Sequence, residues 1–213
     1  MKKTYPGLFI TFEGIDGCGK STQAKKLYAV LKRCGFTVSL LREPGGTKPS
    51  EKIRRILLDR NLDINPISEL FLYEAARAQI TREKIIPLLQ KRGIVICDRY
   101  FDSTTAYQGF GRGLDLAAID RLNKVAADNL EPDMTFIFDV DYKTSLTRRD
   151  KNPDRLEKEK RAFFNRVRKG FLTIAKKKRV VLLNGKLDID TLYKQVLERT
   201  LTALKRKRIV GTR

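Results

Sequence analysis

The chain has 213 residues, of which 41% are hydrophobic, so it can form a domain with a substantial core. It contains no histidine, which excludes a Ser-His-Asp triad and any histidine metal site. Three cysteines without a C-x-x-C pair argue against a disulfide framework or a cysteine zinc site. No apolar run approaches the roughly 20 residues of a membrane helix, so we expect a cytoplasmic protein without a membrane partner.

The formal net charge is +20, which points to polyanionic partners. Nucleic acid is one candidate, a pair of phosphorylated small molecules is another, and a solvated basic surface is the third. Composition alone favours nucleic acid or the solvated surface, so motifs must decide among the three.

Apolar segments alternate with helical patterns along the chain. The predicted strands are residues 8–12, 37–41, 94–97, 134–138 and 180–183. The predicted helices are residues 21–34, 50–59, 66–91, 115–129, 142–149, 157–177 and 189–207. Such alternation predicts an α/β fold of three layers, a five-stranded parallel sheet flanked by helices, in one domain spanning residues 1–213.

Residues 14–21 read Gly-Ile-Asp-Gly-Cys-Gly-Lys-Ser and match the P-loop pattern G-x-x-x-x-G-K-[ST] between the first strand and first helix. Its glycines let backbone N–H groups face phosphate oxygens, while Lys20 can reach the β- and γ-phosphates. The predicted ATP-binding residues here are Gly14, Ile15, Asp16, Gly17, Cys18, Gly19, Lys20, Ser21 and Thr22. Cys18, beside Lys20 at a helix N-terminus, is either a redox-sensitive thiolate or an inert small residue that fills the loop.

Further polar groups follow the second and third predicted strands. Asp98 and Arg99 end the third strand, and in an open α/β sheet ligands collect at such carboxyl ends. Next to a P-loop, Asp98 is predicted to bind Mg²⁺ with Ser21, and Arg99 to clamp a phosphate. A shaped loop at residues 42–47 follows the second strand at the same edge.

A basic segment precedes the last strand. Residues 148–160 contain Arg148, Arg149 and Arg155 around the turn sequence Asn152-Pro153-Asp154. We interpret them as a mobile basic lid, the alternative being a solvated charged loop. Because like charges repel and no apolar anchor is evident, the lid is expected to be disordered without ligand. The basic tail, residues 205–213, lacks an apolar face and is expected to fray.

From residue 8 to residue 200 the chain resembles the thymidylate kinase (dTMP kinase) family of P-loop nucleoside monophosphate kinases. The resemblance rests on the run from Phe12 to Thr22, the 42–47 loop, and the sequences Phe71-Leu72-Tyr73-Glu74-Ala75-Ala76-Arg77, Phe138-Asp139-Val140-Asp141, Asp154-Arg155-Leu156-Glu157 and Phe163-Phe164-Asn165-Arg166. The run Asp98-Arg99-Tyr100-Phe101-Asp102-Ser103-Thr104-Thr105-Ala106-Tyr107-Gln108-Gly109 is far more specific than the P-loop.

The resemblance implies phosphorylation of dTMP to dTDP, a step of dTTP biosynthesis, with ATP and Mg²⁺, by a homodimer that has a mobile lid and no nucleic-acid partner. A kinase for another nucleoside monophosphate, such as UMP or CMP, is the first alternative. A nucleic-acid-binding protein with a degenerate P-loop is the second. Tyr107 and the run from Asp98 to Gly109 argue against the first alternative. The intact P-loop at residues 14–21, together with Asp98 and Arg99, argues against the second.

The resemblance also implies site residues. The implied catalytic residues are Lys20, Arg99, Arg149 and Asp16, with Arg148 and Arg155 helping to hold ATP. The implied dTMP-binding residues are Asp16, Glu43, Pro44, Arg54, Tyr73, Arg77, Arg99, Ser103, Thr104, Tyr107 and Gln108. Asp16 would contact the 3′-hydroxyl, Arg99 and Arg54 the phosphate, Arg77 and Thr104 the thymine edge, and Tyr107 would exclude a 2′-hydroxyl.

Three positions depart from the family pattern. Tyr73 stands where the family usually has Phe, which keeps stacking but adds a hydroxyl. The P-loop carries no arginine, so the chain resembles the type whose catalytic arginine comes from the lid. Asn184-Gly185 replaces the usual Asp-Ala near the adenine, so the adenine contacts are left open.

Overall fold

A computed structural model describes residues 3–149 and 154–211 of the chain. Asn152 and Pro153 of the predicted lid turn, and residues 212–213 of the predicted tail, lie outside the described residues.

The strands form one parallel sheet in the order β2-β3-β1-β4-β5. They are β1 Leu8–Glu13, β2 Val38–Arg42, β3 Ile94–Asp98, β4 Met134–Asp139 and β5 Val180–Asn184. Every residue of the central strand β1 is buried, as expected for an apolar run covered by helices on both faces. The predicted five-stranded parallel sheet is thereby confirmed, and its register sets Phe12 opposite Asp98, so the P-loop and the end of β3 are neighbours.

Helices cover the sheet: α1 Lys20–Arg33, α2 Lys48–Leu58, α3 Pro66–Ile80, α4 Ile86–Gln90, α5 Phe101–Thr104, α6 Leu116–Ala126, α7 Tyr142–Thr147, α8 Arg161–Ile174 and α9 Ile189–Lys207. Several begin at a side chain that accepts an N–H of the first turn: Thr47, Asn65, Asp115, Asp141 and Asp188. Across residues 3–149 and 154–211, no helix has both the length and the apolar character to cross a membrane.

The predicted helix over residues 66–91 is divided. A π-helical stretch, Thr81–Ile85, separates α3 from α4, and the N–H of Ile86 donates to the carbonyl of Thr81. Pro87 has no N–H to donate to residue 83, so the ordinary ladder cannot continue through this point.

A helix that the sequence pattern did not predict carries much of the site. Helix α5 continues into a π-helical segment, Thr105–Gly111, so residues 101–111 form one helical unit. Its glycines weaken helix propensity, which hides the unit from sequence patterns. Close packing explains them, since a Cβ on Gly111 would lie 2.7 Å from the Phe163 ring and one on Gly170 of α8 would lie 2.9 Å from Phe110.

The tail is better anchored than expected. Helix α9 runs to Lys207, whose Nζ donates to the carbonyls of Tyr5 and Gly7 and pairs with Asp133 at 2.8 Å. Ile209 packs against the core. The expectation that residue 205 onward frays is therefore wrong for residues 205–209, because the hydrogen-bonded, partly buried amine of Lys207 and the apolar contact of Ile209 hold them.

Candidate functional site

The P-loop connects the buried end of β1 to the first turn of α1. Gly14, Gly17 and Gly19 have φ values of +137°, +76° and +94°, which glycine adopts without strain. This backbone brings the loop to the N-terminus of α1, where unpaired N–H groups and the helix dipole favour an anion. The structure thus places the predicted ATP-binding loop in the geometry that a phosphate site needs.

Asp16 links the loop to the residues that follow β3. Its carboxylate accepts a bond of 2.6 Å from Arg99, one of 3.1 Å from the Tyr107 hydroxyl, and one of 3.3 Å from Lys20. Burial raises the pKa of Asp16, but the Arg99 and Lys20 charges outweigh it and hold the pKa well below its usual range. Asp16 is therefore ionised at every physiological pH and fixes both cations.

Ser21 and Asp98 form the predicted metal pair. The Ser21 hydroxyl donates to Oδ2 of Asp98. Oδ1 of Asp98 is buried and has no hydrogen-bond partner among the residues that the structure describes. A hydroxyl and an unpartnered carboxylate oxygen are hard ligands of the kind that Mg²⁺ prefers, so these residues fit the predicted ion.

A cavity opens beside the P-loop and encloses about 580 Å³ of space, the open mouth included. Every residue implied to bind dTMP lines it: Asp16, Glu43, Pro44, Arg54, Tyr73, Arg77, Arg99, Ser103, Thr104, Tyr107 and Gln108. The sequence analysis did not find Leu58, Tyr100, Asp154 and Leu156, which also line it. No sequence motif marked these apolar or lid residues as ligand contacts.

Arg77 lies at the base of this cavity with only 1% of its surface exposed. Its Nε donates to Glu43 at 2.9 Å, and its Nη1 donates to Glu74 at 3.0 Å and to Asn123 at 3.1 Å. Burial raises the pKa of Glu43 to about 7 despite the neighbouring Arg77. Glu43 thus orients an arginine that faces the cavity.

Arg54 reaches the cavity from α2 and donates to the carbonyl of Pro44 at 2.9 Å. The loop it contacts is also held by Glu51, which accepts from the Gly46 N–H at 2.7 Å and pairs with Arg42. These bonds give the 42–47 loop the fixed shape expected from its sequence.

The candidate lid arginines point in different directions. Arg149 stacks 3.9 Å from the Phe164 ring centre and donates to the Ser145 hydroxyl, which itself donates to the Asp16 carbonyl at 2.7 Å. Arg148 donates to the Gly185 carbonyl at 2.7 Å. Both side chains therefore lie next to the P-loop.

Arg155 differs from the expectation that it helps to hold ATP. Its Nε donates to the Leu57 carbonyl at 3.0 Å, and its Nη2 lies 2.5 Å from a Glu69 carboxylate oxygen. Both contacts are on the side of the cavity and not of the P-loop. The expectation that nothing apolar anchors the lid is also wrong, because Leu156 is 7% exposed and belongs to the core.

Cys18 does not have the surroundings of a reactive thiolate. Its side chain is fully buried among core residues, and burial raises its pKa even though Lys20 is near. The redox hypothesis is therefore not supported, and the alternative of a small residue that fills the loop agrees with the structure.

Glu13 is a site residue that sequence reasoning missed. Its carboxylate is fully buried and accepts from the Tyr100 N–H at 2.7 Å and the Ser103 hydroxyl at 2.5 Å. Ser103 in turn accepts from Arg99 at 3.1 Å. Burial and the charge of Asp102 raise the pKa of Glu13 to about 8.

An anion site at a helix N-terminus and an arginine-lined cavity thus share Asp16 and Arg99 at one end of a parallel sheet. This arrangement defines a P-loop enzyme that moves a phosphoryl group between two bound molecules.

Comparisons with known proteins identify the family. The model of the thymidylate kinase family matches residues 12–196. A thymidylate kinase of Prosthecochloris aestuarii is 45% identical over 204 residues, covering 90% of this chain and 92% of its own length. One from Dehalococcoides mccartyi is 46% identical over 202 residues, covering 93% and 98%. The crystal structure of thymidylate kinase from Ehrlichia chaffeensis is 39% identical, with a TM-score of 0.76 over 92% of this chain and 98% of that one.

The chain therefore belongs to the thymidylate kinase family, and it is a phosphotransferase that phosphorylates dTMP.

The raised pKa of Glu13 predicts how stability depends on pH. Between about pH 4.5 and 8 the folded carboxyl keeps a proton that the unfolded chain has released. The free energy of unfolding therefore falls as pH rises through this window, by at most ~1.4 kcal/mol per pH unit for one group, and levels off above pH 8. We expect Glu13→Gln to remove this contribution, measured by urea unfolding at pH 5.5 and 8.5. A difference in stability between the two proteins that is the same at both values would contradict the assignment.

Proposed function

We propose that ATP binds at the P-loop, dTMP binds in the neighbouring cavity, and the γ-phosphoryl group passes between them past Arg99. One observation carries this proposal: all the implied dTMP residues line one cavity, of which Asp16 belongs to the P-loop and Arg99 donates hydrogen bonds to it. Substrates in these two sites would be held with their phosphates near one another, which is the main requirement of phosphoryl transfer.

The proposed role of Arg99 is to hold the acceptor phosphate. Its guanidinium is pinned by Asp16, the Gly14 carbonyl and the Ser103 hydroxyl, and it stacks 5.1 Å from the Tyr107 ring centre. A planar cation fixed in this way suits the fork geometry of phosphate recognition. Arg54 is proposed as a second phosphate contact.

The deeper wall of the cavity is proposed to bind the nucleoside. Arg77 and Thr104 are buried there and are suited to the polar edge of thymine. Tyr107 lies on the same wall, and its hydroxyl donates a hydrogen bond to Asp16. Its side chain would occupy the space that a ribose 2′-hydroxyl needs. Tyr73 also lines this cavity.

Ser21 and Asp98 are proposed to hold Mg²⁺ together with the ATP phosphates. When bound, this ion would neutralise the negative charge that develops on the phosphates during transfer. Lys20, which is 6% exposed and paired with Asp16, would exchange that partner for phosphate oxygens.

Arg149 is proposed as the catalytic arginine, because it is linked to the P-loop through Ser145 and the Asp16 carbonyl, and because its charge helps to lower the pKa of Asp16. Arg148, which donates a hydrogen bond to the Gly185 carbonyl, is proposed to help hold ATP.

The first test measures ADP release with dTMP, UMP and CMP as acceptors. The unaltered protein should prefer dTMP, and Lys20→Ala should lower kcat by roughly 100-fold or more, because a preorganised charge on the transferring group is lost. Binding of dTMP should change little, because Lys20 does not line the acceptor cavity. Lys32→Ala, at the far end of α1, serves as the control. Near-normal turnover by Lys20→Ala would exclude the proposed site.

A second test concerns the lid. Arg149→Ala should lower kcat by about 100-fold or more while KM for dTMP changes little, since an arginine on the transferring group acts mainly in the transition state. Arg161→Ala, an exposed arginine at the start of α8, removes equal charge and should leave kcat unchanged. Equal effects of the two substitutions would show that net charge alone matters.

We further propose that the protein is a homodimer formed through α2, α3 and α6. These helices pack side by side and expose apolar side chains, with Ile67 and Phe71 one turn apart on α3 and Val125 on α6. An apolar face of this kind suits a second copy of the chain.

Sedimentation velocity tests the dimer. Phe71 is 54% exposed, and Phe71→Glu should convert the dimer to a monomer by placing charge at the interface. Leu201→Glu, at an exposed position of α9, is the control. A monomeric unaltered protein, or a dimeric Phe71→Glu protein, would contradict the proposal.

We propose that residues 1–213 act as one kinase domain, since the family match extends over most of the chain and the sheet is continuous. The three cysteines are free thiols, which suits the cytoplasmic location proposed for the enzyme.

A further inference from the structure

Glu69, on α3, has no assigned part in the site described above. Its carboxylate is fully buried, and Tyr73 of the cavity wall lies one turn further along the same helix. A buried carboxylate requires compensating partners, and here they come from two other parts of the chain.

The partners of Glu69 are a wall residue and two arginines. Gln108 donates to its Oε1 at 2.8 Å, and Arg112 donates to both oxygens at 3.2 Å. Arg155, from the lid, approaches its Oε2 to 2.5 Å. Burial raises the pKa of Glu69, but the bonds from Arg112 and Gln108 outweigh it, so the group is ionised.

These contacts hold residues 154–159, the lid flank, against the acceptor cavity. Besides the Glu69 contact, Arg155 donates to the Leu57 carbonyl, and Arg112 also pairs with Glu159. The lid flank contributes Asp154 and Leu156 to the cavity lining. An acceptor molecule in the cavity would therefore touch the lid flank that Glu69 holds.

The lid flank also reaches Arg149. Oδ1 of Asp154 accepts from the N–H groups of Leu156 and Glu157, both at 2.9 Å, which closes a compact turn. The Glu157 carbonyl accepts from Nη1 of Arg149 at 3.4 Å. A continuous set of contacts thus runs from Glu69 through Arg155 and this turn to Arg149.

We propose that Glu69 is a positioning residue for phosphoryl transfer: it fixes the lid flank on the acceptor cavity and thereby sets where Arg149 stands. The inference rests on the role proposed for Arg149. It makes the acceptor cavity and the catalytic arginine parts of one assembly, so that a filled cavity and a correctly placed arginine favour each other.

The test is a double-mutant cycle on kcat. Glu69→Gln keeps the shape and removes the charge that holds Arg155, and we expect kcat to fall roughly tenfold, since small misplacements of a catalytic group can cost up to ~100-fold. In an Arg149→Ala background the same substitution should have no further effect on kcat, because the group it positions is gone.

Arg155→Gln breaks the same contact from the lid side and leaves Glu69 bonded to Arg112 and Gln108. Arg155→Gln replaces Glu69→Gln in the cycle if the latter does not fold. It should also lower kcat, and it should have no further effect on kcat in the Arg149→Ala background. Asp133→Asn breaks the Lys207 ion pair at the opposite end of β4 and is the control for a general loss of stability, with kcat unchanged. Melting temperatures of all variants are measured in parallel.

An unchanged kcat in folded Glu69→Gln and Arg155→Gln proteins would overturn the proposal, as would equal losses with and without Arg149. Failure of the proposed function is a separate result, because there Arg149→Ala would retain full activity with Glu69 intact.

Discussion

The ion pair between Arg99 and Asp16 joins the two halves of the site. Arg99 has a backbone φ of +71°, which is uncommon for a residue other than glycine. Its N–H donates to the Phe12 carbonyl at 2.9 Å, and the next N–H donates to Glu13. The buried ends of β1 and β3 thus hold a strained residue in place, and its guanidinium is delivered to the P-loop carboxylate.

The same rule of compensation governs the other buried charges. Arg77 lies between Glu43 and Glu74, and Arg179 pairs with Asp102 at 2.7 Å. Buried pairs of this kind lose much of their attraction to desolvation, so they contribute fixed geometry more than stability. The net charge of +20 therefore comes from lysines and arginines that do not belong to these buried pairs. A strongly basic composition therefore says little about the chemistry of the site.

The sequence was sufficient to predict the sheet, because buried parallel strands are short apolar runs that local patterns detect. It also predicted the P-loop and most of the residues that line the neighbouring cavity, the latter through resemblance to a family and not through periodicity. The helical unit at 101–111 was missed because packing against α8, and not propensity, stabilises it.

Other misses share a physical cause, namely contacts between residues distant in the chain. Nothing near Arg155 in the sequence indicates Glu69 as its partner, and one leucine in a charged run does not reveal that Leu156 is buried. Glu13 precedes a familiar motif, but its hydrogen-bond partners, Ser103 and Tyr100, follow another strand. Likewise, the neighbours of Cys18 in sequence suggested a thiolate, whereas its side chain is fully buried in the hydrophobic core, and burial raises its pKa.

The contact between α8 and the helical unit at 101–111 has a mechanical consequence. Gly170 and Gly111 leave no clearance there: an added Cβ at Gly170 would also lie 3.1 Å from the Ala106 backbone. Protein interiors at this density transmit displacement because they cannot be compressed. Helix α8 begins at Arg161, shortly after the lid flank ends, while the unit it presses on carries Ser103, Thr104, Tyr107 and Gln108. We therefore expect a displacement of α8 to be transmitted directly to the cavity wall that these four residues form, because the two helical segments are in close contact.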